Sequence, residues 1–248
     1  MSEEKASMTF LEHLAELRSR LIKSVIFLLL ATIVSYLFSK PLFRYLRIPF
    51  DQAYISVYGV TPNLQNISLI EGFMVYIKVA VLSGVFFSFP FILYQILGFV
   101  LPALNPQEKK FLYPGIVLVS LFFIGGAIFG YWFVFPKSFE FLLSETAGEL
   151  VEQNIRMQDY FKFSSMLLLG FGVAFELPLL VFFLVAIGVI SSKQLLKSWK
   201  GALILVLILS AILTPADVSS MILMAVPLYI IYLLMSCVCL LLFPSKSK

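Results

Sequence analysis

The sequence predicts an all-α integral membrane protein with six transmembrane helices, and three observations carry this prediction. The chain of 248 residues is 60% hydrophobic, and its mean hydropathy is +0.99. Only 13% of its residues are charged, whereas a soluble globular protein is about 45–50% apolar and about 25% charged. The apolar residues also fall into six runs along the chain. A compact soluble domain of this size could not bury so much apolar surface, so the chain must use lipid as part of its solvent.

The same composition excludes a cytosolic enzyme, a disordered regulator and a secreted disulfide scaffold. The net charge of +4 comes from basic residues spread along the chain, which argues against nucleic-acid binding. Cys237 and Cys239 are two residues apart in an apolar run, so on a helix they point to different sides and favour neither a disulfide nor a metal clip. His13 is the single histidine. We therefore predict no metal and no cofactor.

The first twenty residues differ from the rest of the chain because they mix acidic and apolar residues. A secretory signal peptide needs a basic lead and an apolar run, so this segment is not predicted to be one. Phe10, Leu14 and Leu17 share one helical face, and Thr9 followed by Glu12 is typical of a capping box. We predict that residues 1–20 form a cytoplasmic amphipathic helix on the inner membrane surface, before the chain turns into the first span.

Residues 1–248 are predicted to form a single membrane domain with six spans, near 21–39, 72–97, 111–135, 161–190, 201–213 and 219–243. A helix needs about 20 apolar residues to cross a bilayer core. The fifth segment is shorter, since only 16 residues separate Lys200 from Asp217. At about 1.5 Å per residue these cover roughly 24 Å, less than the hydrocarbon core of about 30 Å. Such a span thins the bilayer or relies on neighbouring helices.

Lysine and arginine residues predict the orientation of the spans. With the N-terminus inside, eleven of them fall on the inner side and seven on the outer side. Both termini are therefore predicted to be cytoplasmic. Two longer segments, 40–70 and 137–160, lie on the outer side. Prolines and glycine in the first segment predict irregular structure, and the second is predicted to contain a helical part.

Three acidic residues near the ends of spans have a structural interpretation. Glu71, Glu108 and Asp217 each follow a serine, asparagine or threonine by three residues, which is the pattern of a helix start. We expect each to cap a helix, and a carboxylate held there is also well placed to meet a cationic ligand. Lys78, inside the second span, is expected to snorkel to the surface or to pair with Glu71.

Glu176 is different, because it lies within an apolar run. A carboxylate inside a membrane costs about 2.5 kcal/mol or more on insertion scales and marks a functional site by default. Pro178 cannot donate its own amide, so it leaves a backbone carbonyl free one turn earlier. We predict a polar notch within the bilayer, with an interhelical hydrogen bond as the structural alternative.

Glu16 and Arg20 are four residues apart in the N-terminal segment and can pair along a helix. His13 is interpreted as part of a solvated helix face. The sequence shows no phosphate-binding glycine loop, no nucleophile with a base and no metal-binding constellation. We predict no catalytic residue and no enzymatic activity.

Five stretches of the chain resemble the TatC family, the six-span subunit of the twin-arginine protein translocase. They are 10–21 (FLEHLAELRSRL), 89–95 (FPFILYQ) with Phe99 and 102–104 (PAL), 108–110 (EKK), 171–178 (FGVAFELP), and 214–218 (TPADV) with Pro227. Five motifs in the family's order, together with six spans, are specific.

The resemblance implies a core receptor that binds the twin-arginine signal peptides of folded proteins on the cytoplasmic face. The matching positions are Glu16, Arg18, Phe99 and Glu108. The carboxylates of Glu16 and Glu108 suit the guanidinium groups of the peptide, since a guanidinium binds a carboxylate through two parallel hydrogen bonds. Arg18 is itself a cation and cannot bind a guanidinium directly, so it is expected to orient acidic neighbours such as Glu16. Glu176 is implied to line a concave intramembrane face. Supporting roles are expected for Pro49, Glu71, Lys78, Pro90, Tyr94, Gln95, Pro178 and Asp217.

The family also implies partners and an energy source. Single-span TatA- and TatB-type proteins are expected to dock along the last two helices, with recruited TatA-type subunits forming the conduit and the proton-motive force driving transport. The expected location is the bacterial or archaeal cytoplasmic (inner) membrane, with a homo-oligomer allowed and no nucleic acid bound. Departures from the family pattern at Leu69, Leu97, Ala216 and Tyr232 bear most on contacts at the last helix.

A second class of function stays open at this point, a proton-coupled transporter of a small solute or ion that uses Glu176. Transporters often contain inverted repeats with broken helices in both halves. No matching halves are visible in the sequence, which favours the translocase receptor.

Overall fold

The structure of the protein, a computed structural model, describes residues 10–100, 112–146, 155–186, 188–213 and 218–243. These described residues form nine α-helices and one π-helical segment. Five helical stretches among them are long and apolar enough to cross a membrane, and a sixth apolar helix is shorter. The predicted all-α class with six spans is therefore confirmed.

The helices are, in chain order, α1 Phe10–Leu37, α2 Ser39–Tyr58, α3 Leu69–Val100, α4 Leu112–Phe129, the π-helical segment Gly130–Val134, α5 Phe135–Thr146, α6 Met157–Ala186, α7 Ser192–Lys197, α8 Trp199–Leu213 and α9 Val218–Leu242. Helices α4 and α5 are joined directly through the π-helical segment and contain the apolar stretch Pro114–Glu145. Helix α8 has 15 residues, which rise roughly 22 Å. This confirms the predicted short fifth span.

The first helix is longer than the sequence predicts. Residues Phe10–Leu37 form one continuous helix, instead of a short surface helix followed by a turn. No glycine or proline occurs within these residues to interrupt the backbone hydrogen bonds. The amphipathic beginning and the apolar remainder therefore belong to a single helix. Residues 1–9, which include Thr9 of the expected capping box, lie outside the described residues.

Helix α2 occupies a segment for which irregular structure is predicted, so that prediction is wrong. Pro41 lies in the first helical turn, where a missing amide donor costs no helical hydrogen bond. Pro49 lies inside the helix and is fully buried. Its missing amide would otherwise bond the carbonyl of Tyr45, and the Tyr131 hydroxyl donates to that carbonyl instead. A donor from another helix thus replaces the one that proline removes.

Two compact units divide the chain, one made of Met1–Lys40 with Tyr76–Ser120 and the other of Pro41–Val75 with Leu121–Lys248. In the first unit, α1 and α3 lie side by side. The rings of Phe27 and Phe91 stack there with their centroids 4.2 Å apart.

The second unit has an aromatic core beside α2. The ring of Phe50 lies 5.1 Å from that of Phe139 and 5.0 Å from that of Tyr160, centroid to centroid. The Tyr160 hydroxyl also donates a hydrogen bond of 2.5 Å to the carbonyl of Leu46. Together with the bond from Tyr131, this contact fixes the middle of α2 to the helices around it.

Helices α4 and α6 approach closely at Gly126, also in the second unit. A Cβ atom on Gly126 would lie 2.6 Å from the main-chain oxygen of Phe171 and 2.7 Å from the Cβ of Phe175. Backbone atoms cannot move aside as a flexible side chain can, so a side chain at this position would separate the two helices. The same packing brings α4 beside the part of α6 that contains Glu176.

The last helices of the second unit are joined by polar contacts to main-chain carbonyls. The Tyr232 hydroxyl of α9 donates to the carbonyl of Leu195 in α7 at 2.9 Å. The Ser192 hydroxyl donates to the carbonyl of Phe243 at 2.8 Å, just after α9 ends. Ser191 and Gln194 form a capping box at the start of α7. The short α8 is therefore preceded by a well-anchored turn of helix.

Candidate functional site

The residues predicted to bind a signal peptide on α1 centre on an ion pair. Arg20 donates from Nε and Nη2 to Oε1 of Glu16, at 2.9 and 2.6 Å. The side chains of Glu16 and Arg20 are 20% and 25% exposed, so the pair is accessible at its edge. The other oxygen of Glu16, Oε2, is buried and has no hydrogen-bond partner within the described residues. One oxygen of this carboxylate therefore has unused acceptor capacity.

Helix α3 packs against this pair through Gly98 and Phe99. A Cβ atom on Gly98 would approach Nη1 of Arg20 too closely, so the glycine leaves room for the guanidinium. The ring of Phe99 stacks on that of His13, with centroids 4.2 Å apart and planes inclined by 17°. We call His13, Glu16, Arg20, Gly98 and Phe99 the N-terminal cluster.

Two predictions about α1 are wrong. Arg18 is predicted to orient Glu16, but the cation bound to Glu16 is Arg20, and Arg18 is exposed. Residues two apart on a helix do not face each other, whereas residues four apart do. His13 is predicted to be solvated, but it stacks on Phe99. The pair of Glu16 and Arg20 is the one that their spacing predicts, whereas nothing local in the sequence signals the ring contact between α1 and α3.

Of the acidic residues expected to cap helices, Glu71 binds the segment that leads into α3. Its Oε2 accepts a hydrogen bond of 3.0 Å from the amide of Ile67, just before α3 begins. Lys78 is exposed one to two turns further along the same helix. Glu108 and Asp217 lie outside the described residues, so their predicted roles stay predictions.

The other expected supporting residues on α3 differ in burial. Gln95 is buried, Pro90 is partly buried and Tyr94 is exposed. The buried amide of Gln95 lies one turn before Phe99, on the part of α3 that packs in the first unit. The neighbouring residues Tyr94 and Gln95 therefore differ, because the tyrosine is exposed and the glutamine side chain is buried.

Glu176 lies in the middle of α6, within a stretch apolar enough to cross a membrane. Its Oε1 is buried and has no hydrogen-bond partner among the residues that the structure describes, and its carboxyl group lies beside the main chain of Phe123. Pro178 is buried two residues later and cannot donate to the carbonyl of Ala174. The Oε1 atom of Glu176 and the carbonyl of Ala174 are thus two polar groups at one level of α6, where the sequence predicts a polar notch.

A second ion pair lies on α2, outside the membrane-spanning helices. Arg47 donates from Nε to Asp51 at 2.6 Å and from Nη2 to the carbonyl of Pro62 at 2.5 Å. Burial raises the pKa of Asp51 above its ordinary value, and the hydrogen bond and charge of Arg47 only partly oppose this. Arg47 therefore joins α2 to the segment that follows it.

No cluster of three or more histidine, cysteine, aspartate or glutamate side chains that could hold a metal ion occurs in the described part of the chain. Two of the described polar centres, the N-terminal cluster and Glu176, instead offer carboxylate oxygens that lack a hydrogen-bond donor among the described residues. Such groups can bind basic or hydrogen-bonding segments of a polypeptide.

Comparison with known proteins agrees with the order of motifs in the sequence. Residues 12–227 match the family model described as Sec-independent protein translocase protein (TatC). Over 232 residues the chain is 37% identical to a protein of that name from Desulforapulum autotrophicum. This alignment covers 94% of this chain and 84% of that protein. Over 230 residues it is 36% identical to the one from Carboxydothermus hydrogenoformans, covering 92% of this chain and 91% of that protein.

Solved structures agree as well. A crystal structure of a twin-arginine translocase receptor, TatC, is similar with a TM-score of 0.75 and 34% sequence identity, and covers 92% of this chain and 99% of that chain. A second crystal structure of the receptor, in the detergent DDM, has a TM-score of 0.78 at the same identity and coverage. The chain therefore belongs to the TatC family and is a multi-pass membrane component of the Sec-independent protein translocase, not an enzyme.

Proposed function

We propose that this chain is the core receptor subunit of the translocase and binds the twin-arginine signal peptides of folded proteins on the cytoplasmic face of the membrane. One observation carries the proposal, which is that Oε2 of Glu16 is buried without a hydrogen-bond partner in the described residues. Leaving a buried acceptor unsatisfied costs about 1–3 kcal/mol. A guanidinium is the side-chain donor whose geometry best suits a carboxylate, so an arginine of the peptide would satisfy it.

The neighbourhood of Glu16 supports a ligand that is basic at one end and apolar beyond it. Leu14, Leu17 and Leu21 are exposed on α1. The stacked rings of His13 and Phe99 offer an aromatic edge near the carboxylate, and arginine packs well on aromatic rings. Glu108 is proposed as a second carboxylate for the adjacent arginine, and Arg18 as an exposed cation at the rim.

The steps after binding are part of the same proposal. The loaded receptor nucleates the translocation site, single-span TatA- and TatB-type partners dock along α8 and α9, and the proton-motive force drives transport. Exposed apolar residues on these helices, such as Ile208 and Val226, are compatible with partner helices as well as lipid. The proposed location is the bacterial or archaeal inner membrane with both termini cytoplasmic, and a homo-oligomer is compatible with this arrangement.

The test is binding of a fluorescent signal peptide with adjacent arginines to the purified chain, against the same peptide with two lysines. We expect the arginine peptide to bind more tightly. Glu16→Gln should weaken it at least tenfold, since the amide has nearly the same shape but no charge. Charge reversal in Glu108→Lys should abolish binding while the protein still inserts stably into the membrane.

Glu140→Gln is the matched control, because Glu140 is an exposed acid on α5 outside the proposed site. Its affinity for the arginine peptide should equal that of the unmodified chain. Equal binding of the two peptides would reject the receptor assignment. So would a Glu108→Lys protein that binds the arginine peptide, and crosslinks to it from position 99, as well as the unmodified chain does.

A second candidate function is proton-coupled transport of a small solute or ion through Glu176, and the unpartnered Oε1 of that residue favours it. It predicts solute flux in liposomes that contain this chain alone, with loss of flux in Glu176→Ala. If liposomes that contain the chain bind the arginine peptide but show no solute flux, the transporter function is rejected and the receptor function is retained.

A further inference from the structure

We propose that Arg20 is a specificity-determining residue that acts as a resident competitor for the signal peptide. Its guanidinium occupies Oε1 of Glu16 and thereby lowers the affinity of that carboxylate for an incoming arginine. The inference rests on the proposed receptor function and adds to it a contact that sets how tightly the peptide is held.

The hydrogen bonds show how the carboxylate of Glu16 is divided. Both Nε and Nη2 of Arg20 donate to the same oxygen, Oε1. Oε2 receives no hydrogen bond from the described residues. A second guanidinium therefore cannot make the usual two parallel bonds, one to each oxygen, while Arg20 stays in place. It can donate only to Oε2.

The position of Arg20 is fixed by its surroundings as well as by Glu16. Nη1 lies against Gly98 of α3, so close that a Cβ atom on this residue would clash with it. The guanidinium is thus held between Glu16 and Gly98, whereas a freely moving surface side chain would have no such fixed position.

Two opposite effects follow when Arg20 is removed, and their sizes decide the outcome. Glu16 loses a partner that restricts its rotamers, which would weaken peptide binding by the side-chain entropy of one residue. Glu16 also regains Oε1 as a free acceptor. In addition, the positive charge of Arg20, which repels the arginine of the peptide, is no longer present. Repulsion between two charges this close exceeds the entropy of one glutamate side chain, so removal of Arg20 should strengthen binding.

The experiment measures affinity of the full-length chain in detergent for the arginine and lysine peptides. Arg20→Gln should bind the arginine peptide about tenfold more tightly, a difference of about 1.4 kcal/mol. Its preference for arginine over lysine should also increase, because both carboxylate oxygens become available to a planar guanidinium. Lys23→Gln is the matched control, since Lys23 is an exposed cation on the same helix, and its affinity should change less than twofold.

A double variant shows whether Arg20 acts through Glu16. In Glu16→Gln, the further change Arg20→Gln should bring a smaller gain, because it relieves the repulsion by Arg20 but frees no carboxylate oxygen for the peptide. Gly98→Ala provides a test that keeps the charge of Arg20 and displaces the guanidinium from its seat. Gly98→Ala should raise the affinity for the arginine peptide at least threefold. If Arg20→Gln does not fold, Gly98→Ala alone tests whether Arg20 competes with the peptide.

Unchanged or weaker binding of the arginine peptide by both Arg20→Gln and Gly98→Ala would overturn the proposal. A gain of equal size in the Glu16→Gln background would also overturn it, because Arg20 would then act independently of Glu16. If the unmodified chain binds the arginine and lysine peptides equally, the receptor function fails instead, and the two failures are therefore distinguishable.

Discussion

The Tyr131 hydroxyl donates a hydrogen bond to the main-chain carbonyl of Tyr45. That carbonyl has no helical donor, because Pro49 stands four residues later in α2 and has no amide hydrogen. One side chain from the π-helical segment therefore completes the hydrogen bonding of a different helix. It explains how α2 stays helical through a buried proline.

This relationship predicts that Tyr131→Phe lowers the thermal stability of the purified protein, by about 1 kcal/mol for one lost hydrogen bond. In Pro49→Ala the helix recovers its own donor for the Tyr45 carbonyl, so the same tyrosine change should cost less than half as much. Tyr36→Phe, at an exposed tyrosine of α1, should have no effect on the unfolding temperature. Equal costs of Tyr131→Phe in the two backgrounds would show that the hydroxyl does not replace the missing amide.

Two adjacent glycines of α4 should respond oppositely to alanine. Gly126→Ala should destabilise the protein by about 1–3 kcal/mol, because its Cβ would meet the main-chain oxygen of Phe171 at 2.6 Å. Gly125→Ala is the control, since a Cβ there has no heavy atom within 4 Å. It should be neutral or stabilising by about 0.5–1 kcal/mol. Thermal unfolding in detergent measures both, and similar values for the two variants would contradict the close approach of α4 and α6.

Glu176 should be more important for transport than for stability. Replacement by leucine removes a buried oxygen that lacks a hydrogen-bond partner within the described residues, and removing such a group in a membrane helix is not expected to destabilise the fold. Glu176→Leu should therefore unfold at or above the temperature of the unmodified protein and lose export of a folded cargo protein. Val173→Leu, at an exposed position of the same helix, should export normally. Normal export by Glu176→Leu would show that the carboxylate is dispensable.

Asp51 should make the protein more stable in acid. Burial raises the folded-state pKa of Asp51 above its ordinary value of 3.8, while Arg47 opposes the shift. Between those two pKa values the folded state binds more protons than the unfolded state, so the free energy of unfolding falls as pH rises through this window. The contribution is fully present below 3.8 and is lost above the folded-state pKa.

Asp51→Asn removes this dependence, so it is the variant for the measurement. The unfolding temperature of the unmodified protein, relative to that of Asp51→Asn, should increase as pH is lowered from 7 towards 3.8. A difference that stays constant across this range would show that Arg47 balances burial at this site, and one that shrinks in acid would show that Arg47 outweighs it.

The number and type of the spans could be predicted from the sequence because they depend on local properties. The short α8 follows from the distance between Lys200 and Asp217, and the helix start near Glu71 follows from its spacing to Ser68. The pair of Glu16 and Arg20 also follows from helical spacing. Each of these features is decided within a few residues of chain.

The tertiary structure decided the features that join residues distant in the sequence. Only the packing of α1 on α3 places His13 on Phe99 and Arg20 on Gly98, because a helical repeat specifies a face but not what covers it. Likewise, the prolines of α2 predict a broken helix unless the donor from Tyr131 is known. The sequence by itself therefore determined a six-span α-helical membrane protein with a glutamate–arginine ion pair on α1. The contacts between helices decided which oxygen of Glu16 is left without a donor in the described structure.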